Sequence, residues 1–301
     1  MHDIIIVGGG PAGLTAAVYA RRASKSVLVI EKETFGGQIT FSPKVENIPG
    51  FSALSGNEFA EKLVEQALFQ GADVESCEVL SIKKDGEEFL VHTDGGDFSS
   101  RAVILATGAR HRRLGLPGED DFVGEGISFC AVCDGAFYRD RVVAVVGGGN
   151  SALQEALLLS ELAKKVYVIQ NLDFLTGEAA LARQLQEKQN VEIRTGCLVD
   201  GYLGVGELTG IRILQTATGT KTELPLDGVF LAVGLIPQNE PFEELLELDE
   251  RGYADSGEDM LTKTPGLFVA GDCRKKRIRQ VATAASDGAV AALAACDYLD
   301  R

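Results

Sequence analysis

Residues 3 to 13 read Asp3-Ile4-Ile5-Ile6-Val7-Gly8-Gly9-Gly10-Pro11-Ala12-Gly13, and the apolar, Ala-rich stretch Leu14 to Arg22 follows directly. A β-branched run, a glycine turn and a helical spacing predict strand, turn and helix, and Ser26-Val27-Leu28-Val29-Ile30-Glu31 supplies a second strand. Gly8-x-Gly10-x-x-Gly13 then has a physical reading. Gly8 makes the tight turn, Gly10 lets the backbone approach a pyrophosphate, and Gly13 lets the helix pack closely on its strand, with Pro11 and Ala12 opening the helix. The anion lies at the positive helix N-terminus. Glu31 ends the second strand 23 residues after Gly8 (31 − 8). Its carboxylate can accept hydrogen bonds from both hydroxyls of an adenosine ribose, which suits a dinucleotide with a free 2′-hydroxyl such as FAD or NAD; Lys32 stands beside it.

The same unit recurs at an offset of 139 residues (142 − 3). Val142-Val143-Ala144-Val145-Val146 runs into Gly147-x-Gly149-x-x-Ala152, with Asn150 and Ser151 inside the turn, then Leu153 to Ala163, then Val166 to Gln170. The spacing from Gly147 to Gln170 is again 23 (170 − 147). A lone glycine motif is weak, whereas each copy here follows a strand and opens a helix. The competing reading is a pair of tight strand-to-helix turns with no ligand. Gln170 can hydrogen-bond a ribose hydroxyl but offers no charge to a 2′-phosphate. Asn171, Leu172, Asp173 and Phe174 add no base, and after Lys164 and Lys165 the next cation is Arg183.

A chain of 301 residues has room for about two domains. Between the copies, Glu58 to Gln70 has helical spacing and Val79 to Thr93 alternates like antiparallel strands. The buried-type run Ala102 to Ala106, ending in Thr107-Gly108, gives the first unit a late core strand, and Gly228 to Gly234 does so for the second. Leu114-Gly-Leu-Pro-Gly118 and Ile236-Pro-Gln-Asn-Glu-Pro241 read as linkers bracketing an insert. The expected fold is α/β with two Rossmann-like dinucleotide-binding domains, the second inserted into the first. The divisions are 1–114 and 241–301 for the first dinucleotide-binding domain and 115–240 for the second, inserted one. The chain returns through Pro265 to Asp272 and ends in an Ala-rich helix from about Ala282 to Leu299.

Forty-four acidic against 29 basic residues give a net charge of −15, which argues against a polyphosphate backbone or an anionic membrane as partner. Ile4 to Ala20 is nearly uncharged, but Gly8-Gly9-Gly10-Pro11 would break a membrane helix and no cationic n-region precedes it, so neither targeting nor a membrane span is expected. Six cysteines in a chain of this length fall far below the density of a disulfide scaffold, and a cytosolic protein is expected.

Cys130-Ala131-Val132-Cys133 carries the densest chemistry. Two thiols at this spacing can form a reversible disulfide if the segment turns helically. Handing a thiolate to a substrate also needs a proton donor, and the adjacent Asp134 can serve if its surroundings raise its pKa. Zinc is the main competing reading, with an incidental pair of core cysteines behind it. A structural zinc site wants a second close pair, which the sequence lacks, so no metal is expected. Cys77, Cys197, Cys273 and Cys296 read as small buried hydrophobes.

Over its whole length the sequence resembles the bacterial low-molecular-weight thioredoxin reductases. The resemblance rests on Gly8 to Gly13, Gly36-Gly37-Gln38, Val45-Glu46-Asn47, Ala106-Thr107-Gly108, Cys130 to Asp134, Gly147 to Ala152, Gly271-Asp272 and Arg279-Gln280, in that order. It implies FAD in the discontinuous domain, with Gly36, Gly37, Gln38, Asn47, Gly271, Asp272, Arg279, Gln280 and Val281 around ribityl and flavin. It implies that Cys133 lies nearer the flavin, that Cys130 exchanges with the partner's disulfide and that Asp134 is the acid. A nicotinamide nucleotide would sit on Gly147, Gly149, Asn150, Ser151, Ala152, Glu155 and Gln170. Two alternating domain orientations, a homodimer and a thioredoxin or thioredoxin-like partner are implied too, a peroxiredoxin-type or glutaredoxin-like protein being the rival partner.

One departure stands out. The usual member carries a His-Arg-Arg run and a further Arg for the 2′-phosphate of NADPH, where this sequence reads Gln170-Asn171-Leu172-Asp173-Phe174-Leu175-Thr176-Gly177. Losing two or three charge-assisted contacts of roughly 1.5 to 3 kcal/mol each weakens NADPH by orders of magnitude, and NADH becomes the expected donor. Some branches of the family take electrons from ferredoxin or a deazaflavin instead, which is the alternative. From a different functional class comes a flavin- and dithiol-based redox sensor.

Overall fold

The computed structural model describes residues 1–42 and 44–301, which divide into two compact units, Met1–Arg110 with Ile236–Arg301, and His111–Leu235. The first begins β1 (His2–Val7), α1 (Pro11–Arg22), β2 (Val27–Glu31). A capped helix α2 (Gly56–Phe69) and β3 (Asp73–Ser76) follow, then the meander β4 (Val79–Asp85), β5 (Glu88–Thr93), β6 (Gly96–Leu105). β7 (Ala109–His111) leads out of it.

The second unit holds β8 (Ile127–Ser128), the single turn α3 (Ala131–Asp134), β9 (Val142–Val146), α4 (Asn150–Ser160), β10 (Lys165–Ile169), α5 (Ala179–Gln186) and β11 (Val191–Arg194). An antiparallel sheet of β12 (Cys197–Val205), β13 (Glu207–Gln215) and β14 (Thr220–Pro225) precedes the core strand β15 (Gly228–Leu231). β16 (Leu235–Pro237) pairs with β7, and the chain re-enters the first unit for β17 (Leu267–Val269) and α6 (Val281–Leu299).

Each unit is built on a parallel sheet whose central strands are apolar on both faces. In the first, β3-β2-β1-β6 are parallel neighbours with β17 also parallel on β6, and β5 and β4 extend the sheet antiparallel. Alternation sorts the side chains into two layers. Ile4, Ile6, Val27, Val29, Ala102, Ile104 and Phe268 pack with α1 and α6, while Ile5, Val7, Leu28, Ile30, Val103, Leu105, Leu267 and Val269 pack with Phe89, Val91 and Phe242. The second unit repeats this. Order β11-β10-β9-β15-β8 is parallel throughout, with Val143, Val145, Val166, Val168 and Phe230 against α4 and Ala144, Val146, Ile169, Val229 and Leu231 against the antiparallel sheet. That two-layer repeat is the α/β architecture expected of Rossmann-like domains.

The observed divisions, 110/111 and 235/236, come four and five residues before the expected 114/115 and 240/241 (114 − 110, 240 − 235). Two buried polar side chains explain the difference. The Glu119 carboxylate accepts the N–H groups of Leu114, Gly115 and Leu116 at 3.0, 2.8 and 3.2 Å, and the Arg112 N–H donates to the Gly234 carbonyl, so the Gly/Pro stretch belongs to the second unit. Asn239, fully buried, donates to the carbonyls of Gly252 and Cys273 and accepts the Thr107 hydroxyl, which fastens the return segment to the first. Composition marked the turns; buried hydrogen bonds decide which side owns them.

Of the four single cysteines, Cys197, Cys273 and Cys296 are buried, but Cys77 is only half-buried against the edge of the core. No helix among the described residues is long and apolar enough to cross a membrane.

Candidate active site

β8 runs beside the central strand β15, with Ser128 opposite Phe230, and it delivers the chain straight into the cysteine pair. Cys130 caps the single turn α3, which brings Cys133 round to it, and the two are joined as a disulfide with Cα atoms 5.3 Å apart. Cys130 Sγ also accepts the Cys133 N–H at 3.2 Å, a contact that favours a thiolate there once the pair is reduced. Ser128 ties the turn together. Its Oγ accepts the Cys130 N–H at 3.2 Å and its hydroxyl donates to Asp134 Oδ2 at 2.6 Å.

The Asp134 carboxyl is pushed up by burial, and the Ser128 hydroxyl pulls it part of the way back. Its Oδ1 is sealed from solvent with no hydrogen-bond partner. Burial also pushes Glu155 on α4 up, to about 8, with the Asp134 charge adding to the rise, and Glu155 Oε2 is likewise sealed and unpartnered. Tyr138, beyond the turn, is pushed up to about 12 by burial and by Asp134. His111 stacks on Phe129 at 4.6 Å, and burial with the Arg113 charge drops it to about 4, so it is neutral and no proton donor near pH 7.

In the first unit, Gly8 sits at φ +110° and a Cβ there would lie 2.3 Å from the Ala106 carbonyl oxygen; at Gly13 it would lie 1.9 Å from the Gly8 oxygen. Only glycine lets strand, turn, helix and the Ala106-Thr107-Gly108 loop close this tightly. Over Gly10 the space is open, with no atom nearer than the Gly36 oxygen at 3.8 Å, and α1 starts with no side-chain cap on its N–H groups. Glu31 reaches back so that Oε2 accepts the Gly9 N–H at 2.7 Å and Oε1 the Glu33 N–H at 2.8 Å, and burial holds its carboxyl above the usual range. At the far end, Asp272 is pushed up by burial, its Oδ1 has no hydrogen bond, and Lys276 stands 3.5 Å away. Asn47 donates to Gln280 at 3.2 Å, and Gln280 caps α6 at Val281. Open space over an uncapped helix start, a carboxylate at the second strand's end and a half-buried acid whose Oδ1 makes no hydrogen bond fit an FAD-sized dinucleotide. Lys32 follows Glu31, and its ammonium pairs with Glu78 at 3.0 Å on the surface.

The second turn has the same skeleton with different chemistry. Gly147 is at φ +134°, Ala152 is fully buried, α4 likewise starts uncapped, and Gly149 has only Thr176 Oγ1 near it, at 3.7 Å. Asn150 is held by Glu178, donating to its carboxylate at 3.0 Å and accepting its N–H at 2.7 Å. Ser151 is exposed. Gln170 is buried over Gly148 and donates to the Phe174 carbonyl at 3.3 Å. Lys165 is engaged with Glu192 at 3.1 Å, and so is Arg194 at 2.7 Å, which β11 brings opposite Ile169.

The chain matches the pyridine nucleotide-disulphide oxidoreductase family over residues 2–288. It is 39% identical to a thioredoxin reductase of Listeria monocytogenes, covering 100% of this chain and 95% of that one. This chain belongs to the low-molecular-weight thioredoxin reductase family. It is an oxidoreductase acting on a disulfide. It is also 40% identical to the "34.2 kDa protein in rubredoxin operon" of Clostridium pasteurianum, over 99% of this chain and 97% of that one. The crystal structure of thioredoxin reductase from Streptococcus pyogenes superposes with a TM-score of 0.94 at 38% identity, covering 100% of this chain and 98% of that one.

Three features of this family member escaped the sequence reading. Ser128 lies two residues before the dithiol and looks like an ordinary strand residue. Arg194 comes beside the second strand only through parallel pairing. Asp287 on α6 is buried in an Arg274, Lys276 and Gly271 network, with Arg274 Nε 2.8 Å and Lys276 Nζ 3.0 Å from its Oδ2. That network fixes the Asp272 loop on α6. An acid within an Ala-rich helix was the available signal.

Proposed function

We propose that this protein is a flavin-dependent reductase of a thioredoxin-type protein disulfide, drawing electrons from NADH in preference to NADPH. The observation that carries the reading is a cysteine disulfide on a helical turn with a buried, pKa-raised acid beside it, in a chain whose second glycine turn ends in Gln170. FAD, when bound, supplies the two-electron carrier between donor and dithiol. Gly8, Gly10, Gly13 and the start of α1 would hold its pyrophosphate, Glu31 its adenosine ribose, and Asp272, Gln280 and Asn47 its flavin end. Gly147, Gly149 and the start of α4 would take the nicotinamide nucleotide, with Gln170 at the ribose hydroxyls. Asp134 supplies the proton that a leaving thiolate needs, and Cys130 is the thiol that meets the partner. The names of the relatives support thioredoxin as the partner, and family membership supports a homodimer. Four free cysteines beside one redox pair support a reducing compartment.

Anaerobic titration of the flavin-loaded protein with NADH and with NADPH, following the oxidised-flavin absorbance, tests the donor. Bleaching by NADH at far lower concentration than NADPH is expected; equal or better bleaching by NADPH overturns the assignment. A second reading, a small iron-protein such as ferredoxin as donor, is favoured by the rubredoxin-operon relative and by the missing phosphate clamp. Bleaching by reduced ferredoxin and by neither nucleotide supports it.

A further inference from the structure

Asp134 alone cannot serve a full turnover without being reloaded, because two thiols of the partner must each gain a proton. Ser128 donates to Oδ2, so the acidic proton of Asp134 belongs on Oδ1, which is sealed from solvent and touches no other donor or acceptor. The neighbouring helix carries a second sealed, unpartnered oxygen, Oε2 of Glu155. α3 packs on α4, and Gly135, next after Asp134, would meet Leu159 at 3.3 Å with a Cβ. Leu159 lies one turn beyond Glu155 on the same face of α4, so Glu155 is turned toward the dithiol. Two sealed carboxyl oxygens left without partners are costly as anions, so both carboxyls are held in the protonated form.

We propose that Glu155 is the proton reservoir that reloads Asp134 during transfer from the dithiol to a protein disulfide, an inference that rests on the reading above. The reduced pair gives two electrons and the two carboxyls give two protons. The Cys130 thiolate attacks one sulfur of the partner's disulfide, the partner's S–S bond breaks, and the leaving sulfur takes the Asp134 proton. Glu155 passes its proton to Asp134 Oδ1. The Cys133 thiolate then attacks the Cys130 sulfur, the mixed disulfide breaks, the Cys130–Cys133 bond forms, and the second leaving sulfur takes the reloaded proton. Both carboxylates regain protons from solvent. Burial supports the assignment, since it keeps Glu155 protonated until about pH 8. The charge acting on Glu155 is that of Asp134 from α3; Asp134 in turn receives the Ser128 hydroxyl from β8, and its charge also acts on Tyr138, as do those of Arg141, Asp227 and Glu125.

The test uses the flavin-loaded full chain, reduced anaerobically with dithionite and mixed with oxidised thioredoxin or with DTNB. The leaving thiolate of DTNB is a weak base and needs no proton. In Glu155→Gln, which keeps size and shape, transfer to thioredoxin falls about tenfold near pH 7.5, less than the loss of a positioned acid because Asp134 remains. Transfer to DTNB is unchanged, and the infrared band of a buried protonated carboxyl weakens. Glu155→Asp restores part of the thioredoxin rate. Equal slowing with both disulfides, or no slowing with either, overturns the role of Glu155. Wild type that reduces DTNB but not thioredoxin overturns instead the choice of partner.

Discussion

Restoring positive charge after β10 should restore NADPH. Asn171 and Leu172 follow Gln170, both are exposed, and the Leu172 carbonyl accepts the Gly196 N–H at 2.8 Å, which holds the backbone whatever the side chains are. The double variant Asn171→Arg/Leu172→Arg therefore places two guanidinium groups where a 2′-phosphate would emerge, with little packing lost. Each exposed guanidinium–phosphate contact contributes about 1.5 kcal/mol, the low end for charged hydrogen bonds, so two contribute about 3 kcal/mol. That is roughly a hundredfold in dissociation constant. Anaerobic stopped-flow reduction of the flavin against NADPH concentration gives the constant directly, with NADH as control. NADPH should tighten by about two orders of magnitude at low salt and by less as ionic strength rises, while NADH stays unchanged. An unchanged NADPH constant, or equal tightening of both nucleotides, refutes the reasoning that the missing cations set the donor.

Three further outcomes follow from the geometry. Ser128→Ala removes the donor to Asp134 Oδ2 and leaves the Cys130 N–H without its acceptor; the Asp134 pKa rises, so the alkaline limb of disulfide transfer should move to higher pH, and urea unfolding should show a loss of about 1 to 3 kcal/mol. Gly13→Ala forces a Cβ to 1.9 Å from the Gly8 carbonyl, so the purified protein should be colourless and melt earlier, which absorbance and thermal unfolding check. Glu155 has a folded pKa of about 8, above its unfolded value of about 4.3, so its contribution to stability is full below the unfolded value and is lost as pH rises toward 8. Between those limits the wild-type melting temperature should fall more steeply than that of Glu155→Gln; parallel curves would remove the buried-acid assignment.

The framework was legible because it is repetitive. Strands such as Ile4 to Val7 and Val142 to Val146 are apolar on both faces, and the glycine spacing places helix starts against them. The dithiol turn was legible for the same local reason, since two cysteines three apart on a helical turn meet. What stayed hidden depends on contacts made at long range. The unit boundaries follow Glu119 and Asn239, whose carboxylate and amide are satisfied by backbone groups that no local composition points to. The sealed oxygens of Asp134 and Glu155 arise from α3 packing on α4 across some twenty residues of intervening chain, and the ammonium of Lys32, which neighbours Glu31, pairs with Glu78 in the connection between β3 and β4. Gln170 was readable as a neutral residue, but its burial over Gly148 required the fold.

The most direct test of the dithiol account is reduction of oxidised thioredoxin by the flavin-loaded wild type and by Cys133→Ser, with the flavin reduced beforehand and air excluded. The account predicts rapid thiol formation by the wild type and none above background by Cys133→Ser, although its flavin is equally reduced. A Cys133→Ser protein that still reduces thioredoxin at the wild-type rate would contradict it.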